Sequence, residues 1–150
     1  MLHFKKQSTI RASAATVFGF HELPDAFARL QPPWQKSEIL QPPAGLAVGT
    51  RVLLRVKFGP FWQAIEAEHV EYEPGHLFAD RMLKGPFRFW LHRHIVEPRG
   101  ANDCVLIDDV TYELPLGAIG DLFGGWFARR ELERLFEYRH RITREACENT

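Results

Sequence analysis

The sequence of 150 residues predicts an α+β fold: a curved antiparallel sheet of about six or seven strands around one long C-terminal helix. Three observations lead there. Segments between Gln35 and Leu114 alternate apolar and polar residues. Gly-Pro and Pro-Gly pairs separate those segments. From about Asp121 the apolar spacing changes to three and four. A sheet closed into a small barrel, with the helix outside, fits the same order of elements.

Residues 2–11 alternate weakly and read as the first strand. Ser13 is a good N-cap for a short helix from Ala14 to His21, to which Val17, Phe18 and Phe20 lend apolar contacts. Pro24 suits the start of a second short helix, Asp25 to Leu30, and Pro32-Pro33 stops it. In Val48 to Phe58, Val52, Leu54, Val56 and Phe58 share one face, and Arg51, Arg55 and Lys57 the other. Gly59-Pro60 reverses the chain into Phe61 to Glu73, and Pro74-Gly75 leads to His76 to Lys84. Gly85-Pro86 precedes Phe87 to Glu97, and Cys104 to Leu114 is the last strand. The closing helix, Asp121 to Glu148, carries a stripe of Leu122, Phe123, Trp126, Phe127, Leu132, Leu135, Phe136 and Ile142. Gly120, Gly124 and Gly125 are expected to loosen its first turn.

No linker or shift of composition divides residues 1–150, so a single domain is expected. Lys plus Arg and Asp plus Glu both number 19, so the formal charge is zero. That balance argues against nucleic acid as a partner and against binding by charge to an anionic membrane. No run of about 20 apolar residues is present to span a membrane. The N-terminal segment lacks an apolar signal core, and two distant cysteines make no disulfide framework, so a cytoplasmic protein is expected. The 12 Phe, 4 Trp and 3 Tyr suit either a large core or an apolar ligand pocket.

The most pointed local feature is Trp90-Leu91-His92-Arg93-His94. On a strand, Trp90, His92 and His94 point together. Two imidazoles roughly 7 Å apart on one face suit a metal if a neighbouring strand adds a third ligand. Asp80, His69, Asp108 and Asp109 lie on such strands. Histidines that only hydrogen-bond to their neighbours are the weightier reading, because HxH without its third ligand is a weak pattern. No metal and no cofactor is therefore expected. Asp108 shares parity with Val110 and Tyr112, which makes it a candidate buried carboxylate. Pairing of Asp108 with a neighbouring arginine is the plainer account. No GxSxG, GxGxxG or P-loop pattern is present.

The order strand, two short helices, strands, long terminal helix resembles the SRPBCC superfamily, the START-like or helix-grip domains. Within it the chain is similar to the cyclase/dehydrase-like, ligand-binding branch. The resemblance rests on 14–21 (AATVFGFH), 30–34 (LQPPW), 78–80 (FAD), 85–87 (GPF), 90–94 (WLHRH), 109–115 (DVTYELP) and 135–139 (LFEYR). It implies a helix-grip fold with a deep apolar cavity between sheet and helix, and no transferable catalytic set.

The function expected is binding of a small hydrophobic or amphipathic ligand, lipid-, polyketide- or quinone-like. The expected lining is Val52, Leu54, Val56, Phe58, Trp90, Tyr112, Phe123, Trp126 and Phe127, with His92 and His94 plus Asp80 or Asp108 orienting the ligand. One alternative is a cyclase/dehydratase-like enzyme. There His92 or His94 acts as acid/base on a carbonyl compound, with Asp108 or Tyr112 assisting. Another is an interaction module whose aromatics fill the core. Either a monomer or a homodimer suits the sequence.

Overall fold

The computed structural model describes residues 1–148. Strand β1 (Leu2–Ile10) leads into two short helices, α1 (Ala14–Glu22) and α2 (Ala26–Arg29). Ser13 caps α1 by accepting a hydrogen bond from the Thr16 amide at 3.1 Å. Six strands follow: β2 (Ser37–Gln41), β3 (Arg51–Phe58), β4 (Phe61–Glu73), β5 (Leu77–Lys84), β6 (Phe89–Pro98) and β7 (Cys104–Glu113). The chain ends in α3 (Ala118–Glu148), which begins three residues earlier than the sequence pattern suggested.

The sheet order is β1-β7-β6-β5-β4-β3-β2, and every neighbouring pair is antiparallel. The first strand pairs with the last, and the others follow in chain order. Strands β1 and β2 remain as edges, so the sheet is open and the barrel alternative is excluded. Bulges interrupt β4 at Glu66/Ala67 and His69/Glu71, and another lies in β2. Bulges increase twist and bend a sheet, which here wraps toward α3. This is the helix-grip arrangement.

Parity along the strands holds as the alternation predicts. Trp90, His92 and Val96 are buried on the concave face while Arg93 is exposed. Val110, Tyr112 and Asp108 occupy that face of β7. On β4, the His69/Glu71 bulge keeps His69 buried and still lets Tyr72 pack against Phe18.

Helix α3 rests on β1 and β7. Its buried side chains are Leu132, Phe136, His140, Thr143 and Cys147, spaced three and four apart. Toward its N-terminus this inward stripe continues through small residues. Gly120 lies against the Pro115 carbonyl, Gly124 against Leu114 and Gly125 against Leu2. A side chain at Gly120 would collide with that backbone, so a glycine there lets the connection from β7 turn tightly into the helix. The helix runs without interruption from Ala118, so the expected loosening of its first turn by these glycines is not seen.

One apolar cluster joins Phe4, Trp90, Val110 and Tyr112 to Leu132 and Phe136 under the helix. Another, of Ile10, Val17, Phe18, Phe78 and Leu106, lies under α1. Val52, Leu54 and Val56 form a separate cluster on β3 with Phe27 and Ile65 beside it. The gap between the β3 cluster and the helix cluster is where a cavity opens.

Phe136 is fully buried, its ring 5.5 Å from Phe4 and 5.0 Å from His92. Phe136→Ala is expected to lower the unfolding free energy by about 3–5 kcal/mol. The readout is a shifted denaturation midpoint at unchanged slope. A loss below about 1 kcal/mol would show that the helix is anchored elsewhere.

Candidate functional site

The cavity measures about 490 Å³ and lies between the β3–β6 face and α3. Val52, Leu54, Val56 and Ile65 form its apolar wall, with Phe27, Trp34, Phe58 and Phe127 also lining it. Its polar lining includes His69, Asp80, His92, His94 and Arg139. A second hollow of about 310 Å³ shares Phe27, His69 and His94 with it and reaches His21.

Strand pairing brings the polar groups together. Asp80 on β5 lies opposite His69 on β4 and His92 on β6, and His94 lies opposite Asp108 on β7. Asp108 accepts hydrogen bonds on both oxygens. His92 Nε2 donates to Oδ1 at 2.6 Å and His140 Nε2 donates to Oδ2 at 2.7 Å. His94 Nδ1 stands 3.2 Å from the same Oδ1. His140 Nδ1 in turn meets the Ser8 hydroxyl at 2.8 Å. Asp80 Oδ2 accepts from His94 Nε2 at 2.9 Å and lies 3.8 Å from His92 Nδ1.

The electrostatics follow from this wiring. Burial opposes charge on Asp108, but hydrogen bonds from His140, His92 and His94 hold its carboxyl well below the usual range. Burial also works against Asp80, yet the His94 hydrogen bond and the nearby His92 bring it down to about 2. His94 is buried too, but its bonds to Asp108 and Asp80 outweigh that and raise its pKa. For His92, burial and the neighbouring His94 win, and its pKa falls. The cluster thus favours two ionised carboxylates and a proton on His94 over one on His92.

The His92 and His94 rings have their centroids 3.6 Å apart, much closer than the backbone spacing of i and i+2 residues suggests. Both rings lean toward the single oxygen Oδ1 of Asp108, which draws them together. Phe78 stacks on the far face of His94 at 4.0 Å.

Three comparisons bear on the chain. The family model described as "Polyketide cyclase / dehydrase and lipid transport" matches residues 1–147. The chain belongs to this family. No curated protein matches it. Among solved structures, TTHA0849 from Thermus thermophilus superposes with a TM-score of 0.72 at 15% identity, over 97% of this chain and 96% of that one. A START superfamily protein from Mycobacterium smegmatis gives a TM-score of 0.69 at 16% identity, over 98% and 97%. Norcoclaurine synthase from Thalictrum flavum, in complex with dopamine and hydroxybenzaldehyde, gives 0.67 at 18% identity, over 96% and 87%. At these identities the structures share the fold alone. Among the described residues no helix is long and apolar enough to cross a membrane.

Within this family fold the residues singled out in the sequence fall into two groups. Val52, Leu54, Val56, Phe58, Asp80, Trp90, His92, His94 and Phe127 face the cavity. Tyr112, Phe123 and Trp126 do not line it. Tyr112 is 1% exposed, locked in the core beneath the helix. Phe123 and Trp126 are 82% and 73% exposed, because the glycines of α3 take the inward positions and turn these aromatics outward. Asp108 is buried as its parity implied, but its partners are histidines, not an arginine, and it stands behind the cavity wall.

Sequence reasoning missed His21, His140, Ser8 and Arg139. His140 was within reach, since it continues the spacing of Leu132 and Phe136. His21 was not: its ring is held by a 2.9 Å bond to the Val17 carbonyl and sits 6.4 Å from His94, a contact made only by folding.

Burial lowers His21 from 6.5 to about 4, with His94 adding to the effect. Between those values the unfolded chain takes up a proton that the folded one refuses. Stability therefore falls as pH drops from about 6.5 toward 4. His21→Gln is expected to flatten that limb by up to about 1.4 kcal/mol per pH unit. Urea unfolding at a series of pH values checks this; parallel curves for parent and variant would refute it.

Proposed function

We propose that the protein binds one small amphipathic molecule in the cavity between the sheet and α3. The apolar body would lie along Val52, Leu54 and Val56, and its polar end would meet Asp80, His92, His94 and Arg139. The observation that carries this reading is the cavity itself. Its volume of about 490 Å³ is in the range of small-molecule sites, and its walls are mostly apolar, with the Asp80, His92 and His94 group on one side. A core filled by its own aromatics would leave no such volume. The norcoclaurine synthase structure is a complex with two small aromatic compounds, so a protein of this fold accommodates ligands of that kind.

Apolar contact would supply most of the affinity, at roughly 25 cal/mol per Å² before the costs of immobilisation. The polar end would set orientation, since a ligand lacking hydrogen-bonding groups leaves buried polar atoms unsatisfied.

Titration with a naphthalene sulfonate dye tests this, with near-ultraviolet circular dichroism confirming native packing. Saturable binding of one dye per chain is expected. Leu54→Trp projects bulk into the cavity and is expected to weaken binding at least about tenfold while the fold persists. Native protein that binds no dye, or a folded Leu54→Trp variant that binds as the parent does, would overturn the reading.

A further inference from the structure

We infer that Asp80, His92 and His94 form a binding site for one divalent transition-metal ion, open to the cavity. One nitrogen from each ring and one Asp80 oxygen all lie within 4.8 Å of one another. The orientation of the rings is more telling than the distance. Each imidazole turns one nitrogen toward Asp108 Oδ1, His92 through Nε2 at 2.6 Å and His94 through Nδ1 at 3.2 Å. That leaves His92 Nδ1 and His94 Nε2 facing the same oxygen, Asp80 Oδ2, at 3.8 and 2.9 Å. Histidine ligands of metals are commonly held this way, with the outer nitrogen donated to a carboxylate and the inner one aimed at the ion.

The support extends one layer further. Asp108 Oδ2 is fixed by His140, and His140 by Ser8, so the orienting carboxylate has little freedom. A second, independent observation concerns His69. It is 5% exposed, lines the same cavity and lies opposite Asp80 on the neighbouring strand. Its Nδ1 is buried without a hydrogen-bond partner. Such an atom costs free energy unless a ligand or water satisfies it. His69 stands outside the three-ligand group, so it would partner a water on the ion rather than bind the ion itself.

Two nitrogens and one carboxylate oxygen suit zinc or iron(II) better than calcium or magnesium, which prefer all-oxygen shells. An ion would take the place of the proton joining His94 Nε2 to Asp80 Oδ2. Its double positive charge would balance the carboxylates of Asp80 and Asp108. The cavity side of the ion would stay open to water or to a ligand atom. This site does not depend on the ligand-binding reading, because the ion is measured without any organic ligand.

The test is calorimetric titration of chelator-stripped protein with zinc sulfate, followed by titration with cobalt(II) chloride in the visible. One zinc per chain with a Kd at or below about 1 μM is expected. Asp80→Ala is expected to weaken zinc binding more than about 100-fold, and Asp108→Asn about 10- to 100-fold. His3→Gln, at the exposed pair with Asp109, is expected to leave it unchanged. No stoichiometric uptake by the parent, or parental affinity in folded Asp80→Ala, would overturn the site. Should Asp80→Ala fail to fold, cobalt(II) bound to the parent decides. Intense visible bands of a four- or five-coordinate site support it, and the weak bands of an octahedral surface complex overturn it.

Discussion

A carboxylate in the interior, Asp108, constrains much of this molecule. An isolated ionised carboxylate in a packed core costs many kcal/mol, so its partners must be in place whenever the chain is folded. They come from two other elements: His92 and His94 from β6 and His140 from α3. Ser8 on β1 fixes His140 in turn. Four elements are thereby held in one register by hydrogen bonds, which are directional where apolar packing is not. The helix is located along its axis as well as against the sheet.

The cavity is a consequence of where the helix is held. Contacts with β1 and β7 seat α3 at one side of the concave face. Strand β3 lies toward the opposite edge, and its Val52, Leu54 and Val56 pack with Phe27 and Ile65 rather than with the helix cluster. An open sheet with bulges in β4 curves enough to enclose the space between. The polar end of that space is the cavity-facing side of the network that holds the helix. Stability and the chemistry of the site therefore share residues, and His92 and His94 serve both.

Much of the fold was legible because strands and helices impose their own periods. Alternation along Arg51–Phe58 and Phe89–Pro98 put Val52, Leu54, Val56, Trp90, His92 and His94 on the faces they occupy. The same rule made Asp108 a buried candidate. The helix misled for a physical reason. Large apolar residues are ordinarily the inward stripe, but in the first half of α3 half-buried glycines hold the inward positions. Phe123 and Trp126, read as cavity walls, are consequently turned to the outside.

What the sequence by itself determined was the order of elements, the face of each strand and the presence of two histidines and two acids of matching parity. These are properties of chain stretches a few residues long, set by the periods 2 and 3.6. Only the tertiary structure decided which groups meet. His140 lies 32 residues from Asp108, and Ser8 lies 132 from His140. The closeness of the two histidine rings, the isolation of His69 Nδ1 and the existence of a cavity depend on how sheet and helix close together. No local pattern encodes that closure, because it is the joint outcome of strand register, bulges and the seating of the helix on β1 and β7.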